Sequence, residues 1–204
     1  MTKAKYEENL ESNLDDLVGR LKRKGYRPQP SRRTYIPKDE KSVRPLGIPA
    51  HEDKIVQKGI SKILNAIYEQ DFLDGSYGFR PGRGQHMALQ ALDAILMKGP
   101  VRYVVDADIR GFFNYVDHTW LMKFLEHRIT DPGMMRLIHK FLKAGIMEQG
   151  AFEKTEEGTP QGGIISPILG NVYLHYALDL WFEKAVKKAC RGKAHMIRFA
   201  DDFV

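Results

Sequence analysis

The sequence predicts a mixed fold of helices and short strands, either α/β or α+β, and three observations support this prediction. Apolar residues recur at helical spacing in several stretches, with short β-rich runs between them. Helices and a hairpin come first, and a strand, several helices and another strand follow. The composition, 43% hydrophobic and 28% charged, is typical of a globular protein with a core. At 204 residues the chain has room for one domain or two small ones.

The chain is basic, with a net charge of +6, and its charge is unevenly distributed. Residues 20–44 contain ten lysines or arginines against only Asp39 and Glu40. Such a run is either a solvated face or a surface that binds the phosphates of a polyanion, and composition favours neither.

Several classes of protein are disfavoured by composition. The single cysteine, Cys190, excludes an internal disulfide and a cysteine-based zinc site, and it favours a reducing, intracellular setting. No apolar run approaches the ~20 residues of a transmembrane helix, and the N-terminus does not resemble a signal peptide. We therefore expect a cytoplasmic protein without membrane contact.

The first half of the chain is predicted to contain three helices and a basic hairpin. Helical spacing of apolar residues predicts the helices, and prolines exclude a helix from the basic stretch between the first two. The predicted bounds are 6–24, 53–72 and 85–97 for the helices, and 33–36 and 43–48 for the strands of the hairpin, the second interrupted by Pro45 and Gly47.

A glycine-rich loop covers residues 76–84, where three glycines and a proline exclude regular structure. Tyr77 and Phe79 stand beside Arg80 and Arg83, a mixture that suits base stacking and phosphate contact. The alternative is an ordinary tight loop whose aromatic rings enter the core.

The second half is predicted to begin with a central strand and to end with another. Asp131 followed by Pro132 marks a helix start, and a second glycine loop covers residues 157–163. The predicted bounds are 101–109, 146–152 and 195–199 for strands, and 118–128, 132–144 and 166–191 for helices.

Two adjacent acids, Asp201 and Asp202, stand between apolar residues at 199–204. An ionised carboxylate in apolar surroundings costs several kcal/mol unless a cation compensates it. For the pair alone, a hairpin turn is the simpler interpretation. Asp108 favours a metal site instead, because carboxylates from separate strands can fix two divalent ions ~3.5–4 Å apart for phosphoryl transfer. Mg²⁺ completes its shell with water and substrate phosphates.

Five segments of the chain resemble a known family. They are Arg44-Pro-Leu-Gly-Ile-Pro49, Tyr77-Gly-Phe-Arg-Pro-Gly-Arg83, Asp108-Ile-Arg-Gly-Phe-Phe113, Gly158-Thr-Pro-Gln-Gly-Gly-Ile-Ile-Ser-Pro167 and Phe199-Ala-Asp-Asp202. In this order and at these spacings they look like a group II intron-encoded reverse transcriptase of the maturase family, and the resemblance covers essentially the whole chain.

The resemblance implies a right-hand polymerase fold, with residues 1–99 as the fingers and residues 100–204 as a palm that stops just after the Asp-Asp hairpin. It implies an RNA-directed DNA polymerase that copies intron RNA by two-metal nucleotidyl transfer and supports intron splicing and retrohoming. The implied cofactor is a pair of Mg²⁺ ions, with Mn²⁺ as a substitute. The implied partners are an intron RNA template, a DNA primer and dNTPs.

The resemblance also implies roles for single residues. Asp108, Asp201 and Asp202 are the expected catalytic residues, and these three with Ile109 are the expected metal ligands. Asp106 matches no position of the motif and is left out. The expected nucleotide-binding residues, among which Phe113 matches a gate against the wrong sugar, are Arg32, Lys38, Arg44, Ile109, Arg110, Gly111, Phe112, Phe113, Pro160, Gln161 and Gly162. The expected template or RNA-binding residues are Arg33, Tyr77, Phe79, Arg80, Pro81 and Arg83.

Two positions depart from the family pattern. Phe199 stands where the family usually has tyrosine, and Asn114 stands where it often has aspartate. These exchanges affect the fine contacts to a nucleotide and not the class of protein.

The resemblance implies that a thumb and most of the return strand after Asp202 are missing from the chain. We therefore expect weak support for the acid pair, little or no polymerase activity from residues 1–204 alone, and a homodimer through exposed apolar surface. Two alternatives stay open: an RNA-binding splicing cofactor without polymerase activity of its own, and the reverse transcriptase of a related bacterial retroelement.

Overall fold

Helices and two small sheets make up the fold in a computed structural model, which describes residues 2–37, 42–159 and 162–204. This mixture agrees with the predicted fold class. The helices are α1 (Lys3–Glu7), α2 (Leu10–Lys22), α3 (His51–Tyr68), α4 (Gln85–Lys98), α5 (His118–Glu126), α6 (Pro132–Leu142), α7 (Ser166–Leu174) and α8 (Lys187–Ala189). The strands are β1 (Ser31–Pro37), β2 (Val43–Ile48), β3 (Ala107–Asp108), β4 (Ile146–Glu148), β5 (Ala151–Glu153), β6 (Arg198–Phe199) and β7 (Asp202–Phe203).

The helix starts follow the sequence signals. Asp131 accepts the backbone N–H of Met134 at 2.5 Å, and Pro132 occupies the first helical turn of α6. The helix predicted over 166–191 forms as α7 and α8 joined by two π-helical turns, His175–Asp179 and Phe182–Val186. Such wide turns change the direction of side chains along a helix and are frequent at functional sites.

The first sheet has the strand order β2-β1-β4-β5 and draws strands from both halves of the chain. β1 and β2 form the predicted antiparallel hairpin, and β2 runs through Pro45 and Gly47 without interruption. β1 also pairs in parallel with β4, where Ser31 lies beside Ile146. The first sheet therefore contains strands from both sides of residue 99.

The second sheet has the strand order β3-β7-β6, and its strands are much shorter than predicted. Of the run 101–109, only Ala107 and Asp108 form a strand, because these are the residues that face β7. Tyr103 and Val105 are 87% and 71% exposed. A β-rich run becomes a strand only where a partner strand is available, which local sequence does not reveal.

β7 is better supported than we expected. It lies between β3 and β6, and both neighbours pair with it antiparallel. Beyond it, Ile197 and Val204 exchange two backbone hydrogen bonds of 2.9 Å. The hairpin that carries the acid pair is thus formed up to the last residue of the chain.

The core lies among α3, α5, α6 and α7. Leu64, Leu121, Leu125, Ile138 and Leu169 are completely buried in one cluster. Burial of each such side chain contributes about 1.5–3 kcal/mol. Within the described ranges, no helix is long and apolar enough to cross a membrane.

Candidate active site

Asp108 and Asp202 lie directly opposite each other where β3 pairs with β7. The side chains of opposed residues point to the same face of a sheet, with Cβ atoms about 4.5–5.5 Å apart. The central position of β7 therefore brings together two acids that are distant in sequence. This is the meeting of carboxylates from separate strands that the sequence predicted.

The electrostatics of this pair favour a bound cation. Burial raises the pKa of Asp202, and the negative charges of Asp201 and Asp108 raise it further, with a smaller effect from Asp106. Like charges at this distance repel, and a divalent ion between them would remove the cost. Asp106, which the sequence analysis left out, thus belongs to the electrostatic surroundings of the site.

Asp201 occupies the turn between β6 and β7. Phe199 pairs with Asp202, so Ala200 and Asp201 form a two-residue turn. The carbonyl of Asp201 accepts the backbone N–H of Ile109 at 3.3 Å, which ties this turn to the end of β3. The third predicted acid is therefore attached to the other two through the backbone.

The donor set fits a hard divalent cation, because carboxylate oxygens are the ligands that Mg²⁺ and Mn²⁺ prefer. Asp108 and Asp202 would hold such an ion from two strands, and Asp201 stands in the adjoining turn. In the part of the chain that the structure describes, no three acidic, histidine or cysteine side chains already converge as a metal cluster. The carbonyl of Ile109, another predicted ligand, accepts the N–H of Phe112 at 3.1 Å.

Phe113 is held half-buried in a tight turn that follows β3. Gly111 begins this turn with φ = 64°, a conformation that favours glycine. Phe112 is buried beneath it, and the two rings meet edge to face with centroids 5.1 Å apart. A Cβ on Gly170 of α7 would come within 3.0 Å of the Phe113 ring. The turn therefore fixes the ring of Phe113 five residues after Asp108 in the chain, with Arg110 exposed between them in sequence.

The second glycine loop packs on the Phe113 turn and reaches the basic hairpin. Thr159 donates its N–H to the carbonyl of Phe113 at 2.7 Å. His118, whose pKa is lowered by burial, donates from Nε2 to the carbonyl of Gly158 at 2.6 Å. Gly162, with φ = 100°, lies so close to Gly47 of β2 that a Cβ would stand 2.8 Å from its carbonyl oxygen. Pro160 and Gln161, two predicted nucleotide contacts, lie outside the described residues.

Two predicted phosphate ligands, Arg32 and Arg44, lie exposed on one face of the hairpin. In the β1–β2 register Arg32 is opposite Ile48 and Arg44 is opposite Ile36, and these two pairs share a face. Lys38, the third predicted cation, lies outside the described residues. The second glycine loop reaches the hairpin at Gly47 of β2, whose backbone Gly162 contacts and which lies opposite Arg33 in the register.

Arg33, predicted to contact template, lies on the opposite face of the hairpin. Its guanidinium pairs with Glu153 at 3.1 Å and with Glu148 at 3.6 Å, both in the β4–β5 hairpin. Arg33 therefore stabilises the first sheet in the structure, and its charge is already compensated there.

The first glycine loop divides between core and surface. Arg80 is only 6% exposed, and its guanidinium donates to Glu69 and to the carbonyls of Leu73 and Ser76. Its predicted contact with RNA is thus corrected to a structural role. Arg83 is bound to Asp74 and stands over the ring of Tyr77. Phe79 and Pro81 remain exposed.

Sequence reasoning missed a buried polar group behind the acid turn. Arg198 has no exposed surface, and its guanidinium donates to the carbonyl of Ala200 at 2.8 Å. A charged residue inside the apolar run 197–199 was the signal that could have indicated it.

The repulsion among the acids predicts an unusual effect of Asp202→Asn on stability. Because the pKa of Asp202 is raised in the folded chain, the folded state binds this proton more readily than the unfolded state. The resulting stabilisation is present below the ordinary pKa of about 3.9 and is lost as pH rises through the folded value. Ionised Asp202 therefore destabilises the metal-free chain at neutral pH, and Asp202→Asn should raise its unfolding temperature.

Thermal unfolding in a chelating buffer from about pH 3 to about pH 8 measures this effect, and the gain should shrink towards the acid end. Asp93→Asn, which removes an exposed acid from α4, is the control and should give no such gain. A lower unfolding temperature for Asp202→Asn at neutral pH would contradict the assigned repulsion.

The model of the family described as "Reverse transcriptase (RNA-dependent DNA polymerase)" matches residues 36–204. The group II intron-encoded protein LtrA of Lactococcus lactis subsp. cremoris is 46% identical over 166 residues, which are 81% of this chain and 27% of that protein. Protein YkfC of Escherichia coli (strain K12) is 39% identical over an alignment of 209 residues, covering 88% of this chain and 54% of that protein. The chain thus spans about a quarter to a half of the length of these relatives.

A comparison with solved structures also supports the fold. A chain of a partial Cas6-RT-Cas1–Cas2 complex superposes with a TM-score of 0.56 and 24% identity, covering 97% of this chain and 32% of that chain. At this identity the likeness shows a common fold.

Proposed function

The chain belongs to the reverse transcriptase family, in the branch that includes the group II intron-encoded proteins, and from this membership we propose that it carries the catalytic aspartates of an RNA-directed DNA polymerase that copies intron RNA. Its fold is the polymerase fold predicted from the sequence. The observation that supports the proposed activity most strongly is the register of Asp108 opposite Asp202, with Asp201 in the adjoining turn.

Reverse transcriptases use divalent metal ions, and we propose Mg²⁺ for this site, with Mn²⁺ as a substitute. The carboxylates of Asp108, Asp201 and Asp202 would hold the ions. When bound, divalent ions neutralise the charge that develops on the phosphates during nucleotidyl transfer. In that reaction the 3′ oxygen of a DNA primer forms a bond to the α-phosphorus of a dNTP, and the bond to pyrophosphate breaks.

The surroundings of the acids support roles in binding the nucleotide. The second glycine loop contacts β2 of the hairpin at Gly47 and also rests on the Phe113 turn, so it links the strand that carries Arg44 to the turn that follows Asp108. Exposed guanidinium groups suit the triphosphate, since arginine binds phosphate oxygens through two parallel hydrogen bonds. The fixed ring of Phe113 would limit the space at the 2′ position of the sugar.

Arg44→Ala tests the proposed triphosphate contact. Loss of one charge-assisted hydrogen bond should raise the KM for dNTP about tenfold, with the affinity for template RNA nearly unchanged. Steady-state kinetics against dNTP concentration and an RNA-binding titration measure the two effects. Arg136→Ala, which removes an exposed cation from α6, is the control. Equal weakening of RNA binding and nucleotide use by Arg44→Ala would remove Arg44 from the nucleotide site.

The RNA-facing surface would include Phe79 and Pro81 of the first glycine loop, both exposed, together with the basic hairpin. Phe79 has φ = 59°, which is uncommon for an aromatic residue. This backbone conformation is strained, so it persists only because the surrounding loop enforces it. An exposed ring held in this way suits stacking on an unpaired base.

Self-association is also part of the proposal. Apolar side chains of α4 and of the unpaired run after it are exposed, among them Met97 at 79% and Tyr103 at 87%. A second copy that covered these side chains would remove apolar surface from water.

Primer extension separates the proposed enzyme from a splicing cofactor that only binds RNA. The protein that contains this chain at the full length of its relatives should extend a DNA primer on an RNA template when Mg²⁺ and dNTPs are present, and it should stop when the metal is chelated. Tight RNA binding without extension under any divalent ion would instead favour the splicing cofactor.

A further inference from the structure

Arg198 uses every hydrogen-bond donor of its guanidinium inside the protein. Its five N–H groups reach five different acceptors, at 2.7 to 3.2 Å, while the side chain has no exposed surface. The acceptors are both carboxylate oxygens of Asp179, the amide oxygen of Asn171, the hydroxyl of Ser76 and the carbonyl of Ala200. Burial of a charged side chain is costly unless its partners are present, and here all five partners are buried with it inside the protein.

These partners come from three separate parts of the fold. Asn171 belongs to α7, and Asp179 ends the first π-helical turn beyond it. Ser76 belongs to the first glycine loop, whose backbone also flanks Arg198: the N–H of Arg198 donates to Gly75 at 2.8 Å, and the carbonyl of Arg198 accepts from Tyr77 at 2.9 Å. Arg198 therefore joins a helix and a loop to the strand that leads into the acid turn.

The remaining partner, Ala200, lies within the acid turn itself. Ala200 has φ = 61°, a left-handed conformation that is strained for a residue with a side chain and persists only where the surroundings enforce it. Its carbonyl belongs to the peptide unit that joins Ala200 to Asp201. By holding this carbonyl, Arg198 fixes the orientation of that peptide unit and hence the direction in which Asp201 leaves the turn.

The first glycine loop packs directly against the backbone of the acid turn. Gly78 lies so near that a Cβ on it would come within 2.9 Å of the carbonyl carbon of Phe199 and would overlap the backbone nitrogen of Ala200. The carbonyl of Gly78 is in turn held by the Asn171 side chain at 2.7 Å, and Asn171 is a partner of Arg198. The strained turn is thus held by one connected set of buried polar groups.

We propose that Arg198 is a positioning residue of the polymerase site, which fixes the Ala200–Asp201 peptide so that Asp201 and Asp202 can bind divalent ions together with Asp108. The inference rests on the proposed function. It assigns to Arg198 no contact with substrate or metal, and its effect passes through the backbone of the turn.

Arg198→Lys is the most specific test, because it keeps the positive charge beside Asp179 but loses the planar guanidinium group with its five N–H donors. A lysine ammonium has three donors on one nitrogen and cannot bind the two oxygens of Asp179 and the distant carbonyl of Ala200 together. Replacement of residues that orient metal ligands typically costs 10–100-fold in metal affinity or activity. In the full-length protein, we expect Arg198→Lys to weaken Mn²⁺ binding at least tenfold, to raise the Mg²⁺ concentration needed for primer extension and to lower kcat, while the KM for dNTP and the affinity for RNA change little.

A control must separate positioning from loss of stability. Tyr26→Phe removes a different buried hydrogen bond, that from Tyr26 to Asp53, and should lower the unfolding temperature without changing Mn²⁺ affinity. If Arg198→Lys fails to fold, the double variant Arg198→Met with Asp179→Leu replaces the ion pair by apolar side chains, a change that proteins often tolerate. This double variant should fold and show the same loss of Mn²⁺ affinity.

Electron paramagnetic resonance titration of Mn²⁺, together with the Mg²⁺ dependence of extension, gives the readout. Wild-type Mn²⁺ affinity in folded Arg198→Lys or in the double variant would overturn the proposal. Asp201→Ala distinguishes a failure of the role of Arg198 from a failure of the proposed function. If Asp201→Ala loses Mn²⁺ binding and extension but Arg198→Lys does not, only the role of Arg198 fails. If Asp201→Ala changes neither, the proposed function fails and the role of Arg198 fails with it.

Discussion

Asp201→Ala should abolish primer extension by the full-length protein, with a loss of about a thousandfold or more, and leave its affinity for RNA nearly unchanged. A divalent ion at the reacting phosphate contributes several kcal/mol, and each 1.4 kcal/mol corresponds to a factor of about ten in rate. The side chain of Asp201 lies in a turn that is anchored by its backbone, through its carbonyl to Ile109 and through Ala200 to Arg198. Removal of the carboxylate therefore takes away a ligand without unfolding the hairpin.

Single-turnover extension and an RNA-binding titration on the same preparation measure the two quantities. Asp93→Ala is the matched control, since it removes an exposed acid of α4 that has no assigned role in catalysis. It should reduce extension no more than a few-fold. Extension by Asp201→Ala at a rate near that of the wild type would remove Asp201 from the active site.

Gly78→Ala should be among the most destabilising single substitutions in the chain. The added methyl would overlap the backbone of Ala200, and a backbone cannot move aside as the end of a flexible side chain can. Overpacking of this kind costs about 1–3 kcal/mol or more, and each kcal/mol lowers the unfolding temperature of a domain of this size by about 2–4 °C. Because the overlap falls on the acid turn, extension and metal affinity should fall as well.

Thermal unfolding of the chain tests this prediction directly. Gly59→Ala provides the opposite case, because Gly59 is exposed in α3 and a Cβ there meets nothing within 4 Å. It should stabilise the chain by up to about 1 kcal/mol through the higher helix propensity of alanine. An unfolding temperature of Gly78→Ala equal to that of the wild type would show that the loop is not in contact with the acid turn.

Much of the fold follows from local sequence signals, such as helix caps and prolines. Asp131 with Pro132 starts α6 as predicted, and the basic hairpin forms where prolines exclude a helix. The pairing of Asp108 with Asp202 was also predictable. Each acid follows or ends a β-rich run, and carboxylates from two strands can together bind the divalent ions that phosphoryl transfer requires.

The parts that the sequence did not reveal depend on contacts between distant residues. The run 101–106 has the composition of a strand but pairs with no strand among the residues that the structure describes. In contrast, Ser31 and Ile146 pair in parallel although more than half of the chain lies between them in sequence. Arg80 stands among glycines and aromatic residues like an RNA ligand, yet Glu69 and two loop carbonyls bury it. Arg198 gave one weak signal, a charge inside an apolar strand, and its five partners could be identified only from the structure.

The central claim is that Asp108, Asp201 and Asp202 form one site for divalent ions, and a Mn²⁺ titration by electron paramagnetic resonance tests it most directly. With RNA template, primer and dNTP bound, the full-length wild-type protein should hold about two Mn²⁺ ions. Asp108→Asn and Asp202→Asn, on opposite strands of the β3–β7 pair, should each lose the same ions and lose extension with them. Undiminished Mn²⁺ binding in both variants would contradict the claim and place the metal elsewhere.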